Sequence, residues 1–282
     1  MPIDLHTHST ASDGTEAPAV VMERAAEAGL DTVALTDHDT TIGWDDAASA
    51  ARRLGLTLVP GIEVSCARGW QSIHLLAYLP DPTHPDLADE LEQARTSRDT
   101  RLDRMVARMA ADGLPVTVES VRDEVEPGAT AGRPHIADAL VRAGVVAHRD
   151  EAFATVLGND SPYYVSHYAP DPVRAVEVVR AAGGAAVVAH AWSATRGRVV
   201  ADEVIEEMVD AGLTGLEVHH RDHTPEAVRH LTDLAAALGL VVTGSSDYHG
   251  EGKLNRLGEF TTDPDVLAAL EDVASGTPVV RP

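Results

Sequence analysis

Across 282 residues the chain has one cysteine, Cys66, and one lysine, Lys253. A lone cysteine allows no intrachain disulfide and no thiolate cluster, and it fits a reducing compartment. No apolar run approaches the roughly 20 residues needed to span a bilayer. The opening Met1-Pro2-Ile3-Asp4-Leu5-His6 has neither the basic nor the apolar region of a signal peptide. The expectation is therefore a soluble, cytoplasmic protein with no membrane association and no protein partner implied. Positive charge is also scarce, since Lys+Arg 22 against Asp+Glu 45 leave a formal charge of −23. Such a surface repels nucleic-acid backbones and anionic membranes, so affinity for phosphate must come from a local feature. Apolar residues at 44% and charged residues at 24% exclude a disordered chain. What the sequence has in surplus is histidine, 14 of them, several ending short apolar runs.

Periodicity predicts short apolar strands alternating with amphipathic helices. The strands fall at 3–6, 32–36, 56–63, 73–79, 185–190, 215–219 and 240–245, and the helices at 17–28, 43–54, 171–182, 201–211, 225–238 and 264–275. Four junctions repeat helix, Ala-Gly-Leu or Leu-Gly-Leu, then strand, at Gly29, Gly55, Gly212 and Gly239. Glycine there closes the helix in the left-handed conformation. Regular alternation implies parallel strands, in a barrel or an open doubly wound sheet. Between Asp86 and about Tyr164 the alternation stops and helical patterns replace it, at 86–112, 118–125, 134–143 and 150–157. The expected organisation is a barrel made of 1–85 and 165–282, with 86–164 an α-helical insert capping the C-terminal ends of the strands.

Histidines and carboxylates collect at those ends. His6-Thr7-His8 closes the first strand; residues two apart share a face, so both imidazoles reach one ion. Ser12-Asp13-Gly14 closes the first loop, Thr36-Asp37-His38-Asp39 ends the second strand, and Gly61-Ile62-Glu63-Val64-Ser65 ends the third. His74 lies on the fourth, His190 ends the fifth, and Ser246-Asp247-Tyr248-His249 follows the seventh. Any one of these has a plainer reading, as a helix cap or a core histidine; the set does not. Imidazole and carboxylate without thiolate suit Mn²⁺, Fe²⁺ or Zn²⁺. Nine ligands exceed the needs of one ion, so two or three are implied, with Glu63 the natural bridge.

Taken in order, HTHS, SDG, TDHD, GIEVS, HLLAY, AHA and SDYH resemble the PHP (polymerase and histidinol phosphatase) family, most closely its stand-alone nucleotide-phosphoesterase branch. The resemblance covers nearly the whole chain and implies a distorted (β/α)7 barrel with a trinuclear metal centre. It assigns His6, His8, Glu63 and Asp247 to one metal, Asp13, His38 and His249 to a second, and Glu63, His74 and His190 to a third. Histidinol phosphatases usually carry a histidine where this chain has Asp13, and no polymerase domain accompanies the motifs. The resemblance implies a phosphatase releasing the 3′-phosphate of a nucleoside 3′,5′-bisphosphate by attack of a metal-bridging hydroxide held at Glu63, Asp13 and Asp247. The alternatives are a 5′-3′ exoribonuclease acting on short RNA and a non-catalytic, metal-stabilised module.

In the insert, Arg95, Arg98, Arg101, Arg104 and Arg108 follow one helical stripe. The resemblance favours Arg98, Arg101 and Arg133 as phosphate contacts, and leaves Arg104 and Arg108 on a solvated face. His135 is either a further substrate contact or a buried helix-start residue. His219 and His220 end the sixth strand and either line the site or lie on the surface; His219, His220 or water could protonate the leaving group, and the sequence does not choose. His84, His148, His223 and His230 read as exposed bystanders, and His167 stays open.

Overall fold

A computed structural model describes residues 1–69, 71–193 and 199–282. The first half alternates as β1 (Ile3–Asp4), α1 (Pro18–Glu27), β2 (Thr32–Leu35), α2 (Trp44–Leu54), β3 (Thr57–Arg68) and β4 (Gln71–Tyr78). Four helices follow without a strand: α3 (Pro85–Ala111), α4 (Val118–Arg122), α5 (Arg133–Arg142) and α6 (Arg149–Thr155). Alternation then resumes as α7 (Pro172–Ala181), β5 (Ala185–Ala189), α8 (Asp202–Asp210), β6 (Gly215–His219), α9 (Pro225–Leu238), β7 (Val241–Gly244) and α10 (Pro264–Val273). The four helix-closing glycines all have positive φ, from 71° at Gly239 to 104° at Gly212.

The strands form one seven-stranded sheet in sequence order. Beyond β1 and β7 the sheet nearly closes on itself: Thr7 and Tyr248 make a parallel bridge, and the His8 N–H donates to the Tyr248 carbonyl at 2.8 Å. The result is the distorted seven-stranded barrel expected. One expectation is corrected. Strand β4 runs antiparallel to both β3 and β5, whereas the other pairs are parallel. A parallel partner needs a crossover of a dozen or more residues, and only a tight turn at Gly69, φ 61°, separates β3 from β4. The reversal matters for chemistry. His74, near the start of β4, pairs with Ser65 of β3 and Ala189 of β5, and so comes to the same rim as their C-terminal ends.

Helix α3 connects two cores. Its Leu87 and Leu91 pack with Ile62, Val64 and Val176 against the barrel. About three turns further on, Leu102, Met105, Val106 and Met109 join Val121, Ile136, Leu140 and Leu157 in a separate apolar cluster. A helix of 27 residues is about 40 Å long, enough to climb the barrel wall and carry its arginines to the rim. Among the described residues no helix is both long and apolar enough to cross a membrane.

Candidate metal centre

Glu63 is the hub. It is 1% exposed, and its two oxygens face different partners. Oε1 lies 2.6 Å from His74 Nδ1 and 3.0 Å from His190 Nε2. Oε2 lies 3.1 Å from His6 Nε2, 2.9 Å from His8 Nε2 and 3.4 Å from His38 Nδ1. Asp247 Oδ1 stands 3.4 Å from both His6 and His8. Asp13 sits on the far side of His8, 3.2 Å from His249 Nε2 and 3.8 Å from His38 Nε2. Backbone strain helps aim these groups. His190 and Asp247 leave their strands with φ of 32° and 55°, values that non-glycine residues hold only where the surroundings enforce them.

Three groups of donors come within coordinating distance: His6, His8, Glu63 and Asp247; His8, Asp13, His38 and His249; and His38, Glu63 and His74. Within each group the ligand atoms lie within 4.8 Å of one another. The first equals the set the resemblance assigned. The second adds His8, and in the third His38 stands beside Glu63 and His74 while His190 touches the same Glu63 oxygen.

These residues fit divalent cations. His6 Nε2 and His8 Nε2 face each other at 3.0 Å while both point at one carboxylate oxygen, an arrangement in which lone pairs converge. His38 Nδ1 and His249 Nε2 are buried with no hydrogen-bond partner among the described residues. Burial, reinforced for His249 by the Lys253 charge, pushes His38 down to about 3 and His249 down to about 4, keeping both rings neutral as ligation requires. For His8, burial is outweighed by the Asp247 and Glu63 carboxylates, which raise it to about 9. A bound cation would displace that proton.

Four buried acids outside the assigned ligand set support this shell. Glu217 takes His6 Nδ1 at 3.0 Å and the Ser245 hydroxyl at 2.7 Å on Oε1, and the His190 N–H at 2.7 Å on Oε2. It thereby fixes the orientation of one imidazole and the backbone of another. Its one sequence signal is an acid at an inward position of an otherwise apolar strand, Gly215-Leu216-Glu217-Val218. Asp37 accepts the Ser9 N–H and the Ser9 and Ser12 hydroxyls, fixing the loop that carries Asp13. Asp4 accepts the Ser246 and Gly258 N–H groups and so positions the turn bearing Asp247. Asp39 accepts the Ser65 N–H and, at 2.8 Å, Arg98 Nε.

That last pair joins the barrel rim to α3. Arg98 also donates to the Ser65 hydroxyl, so much of its guanidinium is engaged. Arg101 and Arg133 differ. Arg101 is 7% exposed, and among the described residues its Nη1 meets only the neutral His167 Nδ1, at 2.9 Å. Arg133 donates to the Leu157 carbonyl and the Asn159 amide oxygen, and both guanidinium groups lie over the Tyr164 ring. Neither has a carboxylate within ion-pair distance among the described residues. With Arg98, Gly132 and Ile136 they line one small pocket. Burial and then the charges of Arg133 and Arg98 depress Arg101 to about 9, the mark of a cation cluster lacking its anion.

The remaining histidines sort themselves by burial. His135 Nδ1 accepts the Gly132 N–H at 3.0 Å at the start of α5 and is buried, which fits the helix-start reading. Arg104 and Arg108 lie exposed. His219 is exposed and His220 is 1% exposed. The exposed reading of His223 is corrected: it is 9% exposed, with Nδ1 2.8 Å from the Val218 carbonyl and Nε2 accepting the Trp192 N–H. His230 is half-buried, stacked on Trp192 at 4.0 Å.

A nearly closed barrel with imidazole and carboxylate donors on its rim, and a cationic pocket beside them, defines a metal-dependent phosphoester hydrolase. Comparison with known proteins agrees. Residues 4–84 match the PHP domain. The chain is 34% identical to a 3′,5′-nucleoside bisphosphate phosphatase of Chromobacterium violaceum, over 90% of this chain and 89% of that one. It is 30% identical to a 5′-3′ exoribonuclease of Haemophilus influenzae, over 87% and 89%. A metal-dependent phosphoesterase of Bifidobacterium adolescentis superposes with a TM-score of 0.94 at 40% identity, covering 98% of each chain. The chain belongs to the PHP family and is one of its metal-dependent phosphoesterases.

Proposed function

We propose that the protein removes a phosphomonoester from a small nucleotide, the 3′-phosphate of a nucleoside 3′,5′-bisphosphate, in the cytoplasm. The observation that carries this reading is the pair of a buried Arg101 and a half-buried Arg133, cations without a carboxylate partner among the described residues. They lie beside Arg98, whose Asp39 and Ser65 contacts touch the rim of the metal centre. A substrate with two phosphates would place one at the metal ligands and the other against these arginines. Guanidinium groups recognise phosphate bidentately, and their local field acts inside the roughly 8 Å over which the diffuse negative charge is screened.

His6, His8, Asp13, His38, Glu63, His74, His190, Asp247 and His249 would hold two or three ions of Mn²⁺, Fe²⁺ or Zn²⁺. Such ions, when bound, lower the pKa of water and neutralise charge on a phosphoryl oxygen. The protein's own part is to hold the geometry. Glu63 ties five imidazoles together through its two oxygens, Glu217 and Asp37 fix the ligands behind them, and the segment 86–164 acts as a cap over a barrel of 1–85 and 165–282. A 5′-3′ exoribonuclease reading is supported by three relatives so named, the Haemophilus influenzae protein among them; the −23 charge favours small or short substrates.

The test is hydrolysis by metal-reconstituted protein of nucleoside bisphosphates, nucleoside monophosphates, histidinol phosphate and oligoribonucleotides. A kcat/KM for the bisphosphate at least tenfold above the others supports the proposal. Preference for oligoribonucleotides, or no preference for a second phosphate, overturns it.

A further inference from the structure

His220 follows the end of β6 and is 1% exposed. The Asp222 N–H lies 3.1 Å from its Nδ1, so Nδ1 is the accepting nitrogen. In the neutral ring the proton then belongs to Nε2. That nitrogen is buried and has no hydrogen-bond partner among the described residues. Its nearest acid is Asp247 Oδ2 at 3.6 Å, too long for a hydrogen bond. Lys253 Nζ already holds that oxygen at 3.0 Å. The ring stands 5.4 Å from that of His190. A buried donor is therefore aimed into the metal centre with no acceptor among the described residues, beside a carboxylate whose outer oxygen is served by the only lysine of the chain.

We propose that His220 is a catalytic hydrogen-bond donor, its Nε2–H received by a non-bridging oxygen of the phosphoryl group under attack. Two alternatives conflict with the same geometry. A ligating Nε2 would have to be deprotonated, moving the proton to Nδ1 against the Asp222 N–H. An imidazolium that protonates the leaving group would carry the same clash. His220 keeps its proton throughout, and His219 is exposed at the strand end. The inference rests on phosphoester hydrolysis at this centre but not on which nucleotide is the substrate.

The experiment has two arms. In the first, long-range ¹⁵N–¹H spectra of the zinc-loaded protein, assigned by loss of signals in His220→Gln, should show the Nε2–H tautomer for His220. Inorganic phosphate should shift that nitrogen. An Nδ1–H tautomer, or no response to saturating phosphate, overturns the proposal. In the second, His220→Phe and His220→Gln are compared with wild type on p-nitrophenyl phosphate and on an alkyl phosphate with a poor leaving group, with metal content measured for each. A lost donor to a charged oxygen should lower kcat by about tenfold to several hundredfold. The factor should be the same for both esters and the metal content unchanged, and Gln, whose amide N–H can replace Nε2–H, should recover part of the rate. A loss confined to the poor leaving group, or a fall in metal content that tracks activity, overturns the assignment. If wild type hydrolyses p-nitrophenyl phosphate but no nucleotide, the substrate reading fails while the role of His220 is still measured.

Discussion

Replacing Arg101 by methionine separates substrate recognition from folding, because the structure predicts opposite signs for the two. The guanidinium is 7% exposed and is pushed down to about 9 by burial and by Arg133 and Arg98. A fall from the ordinary 12.5 to about 9 corresponds to on the order of 5 kcal/mol against the charged form. Nothing anionic in the described pocket returns that energy. Methionine keeps much of the apolar stem that packs beside Leu102 and Met105 and removes the charge. Recovery of even about 2 kcal/mol should raise Tm by about 4 °C in anion-free buffer. Saturating sulfate at about 100 times its Kd should stabilise wild type by about 2.7 kcal/mol and Arg101→Met by much less. Activity should move the other way. Loss of a charge-assisted contact worth about 1.5–3 kcal/mol lowers kcat/KM about ten- to hundredfold on a nucleoside bisphosphate, with little change on p-nitrophenyl phosphate and none in metal content. The measurements are scanning calorimetry with and without sulfate, and steady-state kinetics on both substrates. A lower Tm with equal sulfate stabilisation of both proteins would refute the reasoning, since Arg101 would then be a structural cation satisfied by His167 and Tyr164.

Three further outcomes are expected. Glu63→Gln should lose more kcat than His74→Ala, because Glu63 approaches five imidazoles and His74 is one of them; comparable residual rates in folded variants would contradict the bridging role. Glu217→Gln should weaken metal affinity about ten- to hundredfold while leaving the fold intact, as read by competition with a chromophoric chelator, because the hydrogen bonds to His6 and to the His190 N–H are weakened; unchanged affinity would make Glu217 only a core acid. His167 is held at about 2 by burial and then by Arg98, Arg101 and Arg133, so below about pH 6.5 the unfolded chain takes a proton that the folded chain refuses. Stability of the metal-loaded protein should therefore fall as pH drops below that value, and His167→Gln should flatten the slope in denaturant midpoints between pH 7.5 and 5.

Local signals were enough for the barrel and for the histidines and carboxylates that it gathers at one rim. Apolar runs of strand length, helices closed by Gly29, Gly55, Gly212 and Gly239, and histidines at strand ends are written within a few residues of one another, so their meaning survives without the fold. The helical pattern of 86–112 was equally readable, because a 3.6-residue period is a property of the segment alone. Tertiary structure decided what depends on residues distant in sequence. The direction of β4 followed from a tight turn at Gly69, and only that reversal brings His74 to the rim beside Ser65 and Ala189. Glu217 reads as one acid among 45 Asp and Glu until β1, β5 and β7 deliver His6, His190 and Ser245 to it. Along α3, Arg98 and Arg101 are indistinguishable by spacing; Asp39 engages one and leaves the other without an acid. His219 and His220 are neighbours of one type, and beyond the register shift between Glu217 and His219 at the end of β6 the first is exposed and the second buried. A sequence specifies which groups are available, whereas partnership, burial and tautomer belong to pairs of atoms that only the folded chain brings within 3 to 4 Å.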